Sequence, residues 1–188
     1  MHYSQFSNAL RWSATVNNKV IKLLVLVSIV GIVTFTAVLG IERQNAGHTT
    51  PATVIPLPNI DAKDLFSANT ITTQDLISEQ YRVMNVWASW CGICRDEHTF
   101  IMSLKQQGID VIGLNYRDNK REALDYLESE GNPYSKVIYD PDGIVSIDFG
   151  VIGTPETYLI NPNGEIMIKF RGKLDQKQWN KHFATYFK

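Results

Sequence analysis

The chain has 188 residues, 44% of them hydrophobic, with 18 Lys plus Arg against 19 Asp plus Glu and only two cysteines. That composition can build a packed core and excludes a disordered tail, a collagen-like fibre and a disulfide-rich secreted scaffold. Every acid lies at Glu42 or later, and from there on 15 basic residues face 19 acidic ones, a mildly acidic balance that argues against nucleic acid as a partner.

Leu23 to Ile41 carries no charge. As a helix this stretch would span roughly 28 Å, close to the bilayer hydrocarbon thickness of about 30 Å. Arg11, Lys19 and Lys22 precede it without any acid, and Glu42-Arg43 follow. The positive-inside rule then predicts residues 1–22 in the cytoplasm, 23–41 as a single transmembrane signal anchor, and the rest outside. A cleaved signal peptide is the competing reading. Its apolar region would be too long, its leading segment too extended, and Ala37-Val38-Leu39 is a poor small-x-small cleavage site. A buried core helix would need a polar stripe toward water, which this stretch lacks. Residues 42–58 hold Pro51, Pro56 and Pro58 among polar residues and read as a spacer.

Residues 59–188 alternate strand and helix. Ile60 to Ser78 carries weak signals, predicting a leading strand or hairpin and a short helix. Tyr81 to Ala88 reads as a buried central strand, because it lacks polar alternation. Cys91 to Gln107 places Phe100, Ile101 and Leu104 at helical spacing, with Gly108 as a stop. A second buried strand spans Asp110 to Tyr116, a helix Asn119 to Glu130, and a short strand Lys136 to Tyr139. Asp140-Pro141-Asp142-Gly143 is a turn. Thr157–Ile160 and Glu165–Phe170 flank Asn161-Pro162-Asn163-Gly164 as a hairpin, and Asp175 to Phe187 closes the chain as an amphipathic helix.

The chemistry gathers at Trp90-Cys91-Gly92-Ile93-Cys94, where the only two cysteines stand three apart at a strand-to-helix junction. At the helix N-terminus, free backbone N–H groups and the macrodipole favour a Cys91 thiolate over the ordinary thiol, whose pKa is about 8.5. Cys94, one turn on and expected to be better shielded, can resolve a mixed disulfide. A structural zinc site lacks ligands, since His98 is the only histidine nearby. Haem attachment would need His where Arg95 stands. A purely structural bridge over so small a loop would restrain the unfolded chain little. These residues therefore read as a redox-active pair, Cys91-Cys94, a chemistry that needs no metal or other cofactor.

From about Asp61 onward the chain resembles the thioredoxin fold, a central mixed β-sheet flanked by helices. More narrowly it is similar to the membrane-anchored thiol:disulfide oxidoreductases of cytochrome c biogenesis called CcmG or DsbE. The residues that carry the resemblance are Asn85-Val86-Trp87-Ala88-Ser89-Trp90-Cys91, Cys94-Arg95-Asp96-Glu97-His98, Gly113-Leu114-Asn115-Tyr116, Gly131-Asn132-Pro133-Tyr134 and the loop from Gly150 to Thr157. The resemblance implies an inner-membrane, single-pass protein with its catalytic domain in the periplasm. It implies a reductant of apocytochrome c, whose CxxCH thiols must be free before haem attaches, or of a partner thiol protein in that pathway. A membrane thiol-reducing transporter would reload it. Other readings are a TlpA-like general reductase and a metal-delivery module using Cys91, Cys94 and His98.

The same resemblance implies a cis Pro155 facing the dithiol, with Thr154 offering its backbone to an extended substrate and Trp90 receiving that substrate. Two departures stand out. No proline lies between the cysteines, and Asn85 replaces the buried Asp of ordinary thioredoxins, so Cys94 needs another base. Glu97, three residues beyond Cys94 on the same helical face, and Glu156, just after Pro155, are the candidates for proton transfer and pKa tuning. Arg95, Asp96 and His98 are assigned mainly to solvent or packing.

Overall fold

The structure, a computed structural model, describes residues 18–44, 48–50 and 54–187. Two units divide after Gln44. The first is helix α1 (Asn18–Gln44), which extends the expected apolar segment at both ends. Its stretch from Lys19 to Ala37 is long and apolar enough to cross a membrane. Thr34 donates its hydroxyl to the Val30 carbonyl at 2.9 Å and Thr36 to Val33 at 3.0 Å, so these hydroxyls are satisfied within the helix. Residues 1–17, most of the segment assigned to the cytoplasm, lie outside the described residues.

The second unit begins in the stretch expected to be a spacer, and here that expectation needs correcting. Strands β1 (His48–Thr50) and β2 (Ile55–Pro56) both pair antiparallel with the last strand of the sheet. An edge strand presents unpaired N–H and C=O groups, and an extended, proline-containing segment can satisfy them where a central strand could not. Residues 45–47 and 51–53 lie outside the described residues. Next come β3 (Asp61–Asp64), β4 (Thr70–Thr72) and the short α2 (Thr73–Leu76), the hairpin and helix foreseen weakly.

The βα units follow: β5 (Arg82–Trp87), α3 (Gly92–Gln106), β6 (Val111–Tyr116), α4 (Lys120–Glu130) and β7 (Lys136–Asp140). After the turn comes a five-residue helix that was not anticipated, α5 (Ile144–Asp148). The Asp140 carboxylate starts it by accepting from the Val145 and Ser146 N–H groups at 3.2 and 2.8 Å. Strands β8 (Glu156–Ile160) and β9 (Glu165–Arg171) form the hairpin, and α6 (Gln176–His182) ends the fold. The expected helix to Phe187 breaks at Phe183 and continues as a 3₁₀ turn over Ala184–Tyr186.

The sheet order is β1-β9-β8-β5-β6-β7-β3-β4, with β2 also on β9. β5 runs parallel to β6 and antiparallel to β8. All six β5 residues are buried. Val83 and Trp87 face a core layer that holds Ile101, Leu104, Trp179 and the two cysteines, while Met84 and Val86 face a second layer with Ile112, Leu114 and Tyr158. The end of this central strand therefore delivers the dithiol onto the sheet face that α3 covers.

Candidate active site

Cys91 is the N-cap of α3, with extended backbone at φ −85° and ψ 106°. Its Sγ accepts the Cys94 N–H at 3.1 Å, so the sulfur sits where the helix end leaves donors free. The two cysteines form a disulfide with a Cα–Cα separation of 5.3 Å. Cys91 is 5% exposed and Cys94 4%, so the two residues do not differ in burial. The N-cap position of Cys91 is what distinguishes them.

The Thr154–Pro155 peptide bond is cis. Thr154 and Pro155 line a groove of about 230 Å³ with Ile152, Gly153, Arg171 and Ile93, the last from the first turn of α3. The groove thus joins the dithiol turn to the proline loop. Trp90 is exposed and lies elsewhere, against a separate hollow with Ser89, Arg95 and Tyr126. The structure brings Thr154 and Pro155 together in one groove and sets Trp90 on another wall.

Glu97 is 1% exposed. Its Oε1 accepts from the Asn85 amide at 2.9 Å and its Oε2 from the Leu174 N–H at 2.7 Å. Burial pushes its pKa up to about 8, against the pull of those two hydrogen bonds. Asn85 is the hub beneath the site. Its Oδ1 accepts from the Tyr134 hydroxyl at 2.8 Å while its Nδ2 serves Glu97. Burial and the nearby Glu97 charge hold the Tyr134 hydroxyl well above the usual phenol range, so it donates.

Glu156 is equally dry at 2% exposure but differently used. Oε1 accepts the N–H groups of Ile152 and Gly153 at 2.8 and 3.1 Å, and Oε2 accepts the Tyr158 hydroxyl at 2.6 Å. Arg171 Nε lies 3.6 Å from Oε1. These contacts shape the loop that leads into Pro155. His98 is packed: its Nε2 lies 3.0 Å from the Gly131 carbonyl and its ring meets Tyr126 edge-on. Trp87 stacks on Tyr134 with ring centroids 5.5 Å apart, under the site rather than in it.

The sequence assigns no role to Tyr134 beyond its place in the Gly131–Tyr134 motif and does not point to Asp118. The signal for Asp118 was an acid between a buried strand and the helix cap Asn119. For Tyr134 it was a buried polar side chain, Asn85, in an otherwise apolar strand, which obliges a partner.

A dithiol at a helix N-terminus, a facing cis-proline loop and a buried carboxyl on the same helix define a thioredoxin-like thiol:disulfide oxidoreductase. Residues 47–185 match the Redoxin family. A thiol:disulfide interchange protein DsbE of Allochromatium vinosum is 38% identical over 141 residues, 74% of this chain and 78% of that protein. The DsbE of Escherichia coli K12 is 38% identical over 125 residues, 66% of this chain and 68% of that protein. The crystal structure of a DsbF homologue from Corynebacterium diphtheriae shares the fold, with a TM-score of 0.63 at 22% identity over 73% of this chain and 92% of that one. Within the Redoxin fold family, the chain belongs to the CcmG/DsbE family of thiol:disulfide interchange proteins.

Proposed function

We propose that this protein is a membrane-tethered reductant of cytochrome c maturation. Its domain would stand in the periplasm, and α1 would cross the inner membrane once with Arg11, Lys19 and Lys22 on the cytoplasmic side. The observation that carries the reading is the 38% identity to DsbE proteins in a chain whose dithiol domain follows a membrane-length apolar helix. The substrate is the disulfide of an apocytochrome c CxxCH segment or of a partner thiol protein. A membrane thiol-reducing transporter returns the electrons.

In the reaction, the Cys91 thiolate bonds to one sulfur of the substrate disulfide, and the other substrate sulfur leaves and is protonated. Cys94 gives up its proton, attacks Cys91 and releases the substrate as a dithiol. Glu97 is our base for that second proton, because a carboxyl with a pKa near 8 is matched to a thiol. Glu156, which accepts three hydrogen bonds and has Arg171 close by, holds the Pro155 loop instead of carrying protons. Trp90, Thr154 and Pro155 receive the substrate chain. As pH rises toward 8 and Glu97 ionises, its charge and a Cys91 thiolate disfavour one another, which offsets the helix dipole's push toward an oxidant.

Equilibration with glutathione tests the direction. The expected potential lies nearer thioredoxin, about −270 mV, than a strong oxidant, about −120 mV; a value at the oxidant end defeats the reading. Cys94→Ser should trap substrate on Cys91. Deleting the gene from its host should stop haem attachment to c-type cytochromes, with rescue by the wild type and none by Cys91→Ser. Intact attachment in the deletion strain would leave a general reductase in place of a dedicated one. A reporter fused after Lys188 should be active only outside the cytoplasm.

A further inference from the structure

The loop that carries Trp90 and Cys91 is gripped by residues that take no part in the bond exchange. Asp118 is 5% exposed and follows β6. Its carboxylate accepts four hydrogen bonds. Two come from Ser89, from its N–H at 2.6 Å and its hydroxyl at 2.7 Å. The others come from the Asn115 amide at 2.9 Å and the Asn119 N–H at 2.8 Å. Ser89 immediately precedes Trp90, and its carbonyl accepts from the Arg95 guanidinium at 2.8 Å.

Arg117 adds a second grip. It is the one non-glycine residue of the described chain in the left-handed region, at φ +46°. A residue with a Cβ stays there only where its surroundings hold it. That turn aims the Arg117 carbonyl at the exposed indole, and Trp90 Nε1 donates to it at 3.0 Å. The Arg117 N–H in turn donates to the Asp140 carbonyl at 2.9 Å. An exposed tryptophan beside a reactive cysteine would otherwise sample several rotamers. Here its backbone is fixed through Ser89 and its ring through Nε1.

We propose that Arg117-Asp118 is a positioning element for disulfide exchange, presetting Trp90 as a wall against which the partner's chain is laid while Cys91 attacks. The inference rests on Trp90 meeting the substrate and not on which protein that substrate is. In the step it serves, a Cys91–partner S–S bond forms as the partner's own S–S bond breaks. The departing sulfur takes a proton from solvent. Cys94 then displaces the second partner sulfur, and two electrons pass from the Cys91-Cys94 dithiol to the partner. Asp118 neither gives nor takes a proton in this sequence.

The test uses the full-length chain, reduced with dithiothreitol and freed of it, in single-turnover reactions with each probe in excess, where kcat is the limiting rate of exchange and KM the probe concentration that gives half of it. Two oxidised probes are compared: a synthetic peptide holding one Cys-x-x-Cys disulfide, and bis(2-hydroxyethyl) disulfide, which is too small to lie against the indole. In Asp118→Asn an amide donor replaces one acceptor and confronts N–H groups, freeing Ser89. The expected result is a rise in KM for the peptide of about tenfold, with kcat and the small-disulfide rate changed by less than about twofold. Trp90→Phe, which lacks the indole N–H, should raise the peptide KM likewise. The double variant should be no worse than the worse single one, because both act through one wall. A parallel loss on both probes overturns the proposal, as does an unchanged peptide KM at equal folded fraction by circular dichroism, or a double variant showing the product of the single effects. Trp90→Ala separates the two layers of the inference. If it raises the peptide KM while Asp118→Asn does not, Trp90 keeps its role and the positioning element falls; if neither does, both fall. Should Asp118→Asn fail to fold, Ser89→Ala removes the hydroxyl donor alone, and a peptide KM that does not rise there overturns the proposal equally.

Discussion

Asp118 and Glu97 are two buried carboxyl groups near one dithiol, and the structure equips them in opposite ways. Their exposures are close, 5% and 1%. Asp118 meets four donors, matching the roughly four lone-pair positions a carboxylate offers. Glu97 meets two, from Asn85 and Leu174, and burial takes its pKa up to about 8. Burial by itself therefore does not say what a carboxyl is for; the number of donors around it does. A saturated carboxylate is a fastener for the chain segments that donate to it. An under-bonded one can exist with or without its proton and so can pass one on. Glu156, with three hydrogen bonds and Arg171 close by, belongs with Asp118.

The comparison breaks most visibly if the fastener is removed. Asp118→Ala leaves the Ser89 N–H and hydroxyl, the Asn115 amide and the Asn119 N–H without their acceptor. Each buried donor so orphaned costs about 1–3 kcal/mol, and water entering the gap recovers part of the total. The expected loss is about 3 kcal/mol or more, read as a lower midpoint in urea with an unchanged slope. A loss below about 1 kcal/mol would mean that the four bonds are readily replaced by solvent and that Asp118 fastens little.

Next in size is the pH dependence of stability. The Glu97 pKa is raised from 4.5 unfolded to about 8 folded, so the folded chain binds the extra proton between those values. Stability from this group is complete below about pH 4.5 and drains away as pH rises toward 8. Glu97→Gln cannot ionise and should flatten that slope. The variant should match the oxidised wild type near pH 5 and exceed it by a few kcal/mol above pH 8, since each pKa unit is worth about 1.4 kcal/mol. Thermal melts across the range measure it; parallel curves would show that Glu97 is ionised throughout. The same variant should resolve mixed disulfides more slowly.

This contrast was only half legible in the sequence. Glu97 could be found because it stands one turn after Cys94 in a helix whose start the cysteines mark, and the strands and helices from Arg82 onward came from apolar runs bounded by glycine and proline. Asp118 could not be found that way. Its function depends on Ser89, 29 positions earlier, and only the parallel pairing of β5 with β6 brings the two strand ends together. Residues 48–50 and 55–56 misled for a related reason: local composition reports extended polar chain, and whether such chain is a spacer or an edge strand depends on the free side of β9, which lies more than a hundred residues away. Short α5 escaped because its starting acceptor, Asp140, belongs to the preceding strand.

The smallest expected effect is the sharpest test of how Glu97 is tuned. Tyr134 donates to Asn85 Oδ1, which turns the amide so that Nδ2 faces Glu97. A donor facing the carboxyl favours its ionised form and so limits how far burial can raise the pKa. Tyr134→Phe removes the hydroxyl and keeps the ring stacked against Trp87. Asn85 Oδ1 is then a buried acceptor without a donor, and the amide can gain by rotating Oδ1 toward a protonated Glu97, which donates back to it. The stability cost should be about 1 kcal/mol. The direction of the pH effect is the informative part: the inflection assigned to Glu97 should move above its wild-type position near 8, and the slope that Glu97→Gln abolishes should extend to higher pH. If the inflection moves down or stays, the amide keeps Nδ2 on Glu97 without the Tyr134 hydroxyl, and that hydroxyl has no part in tuning the carboxyl.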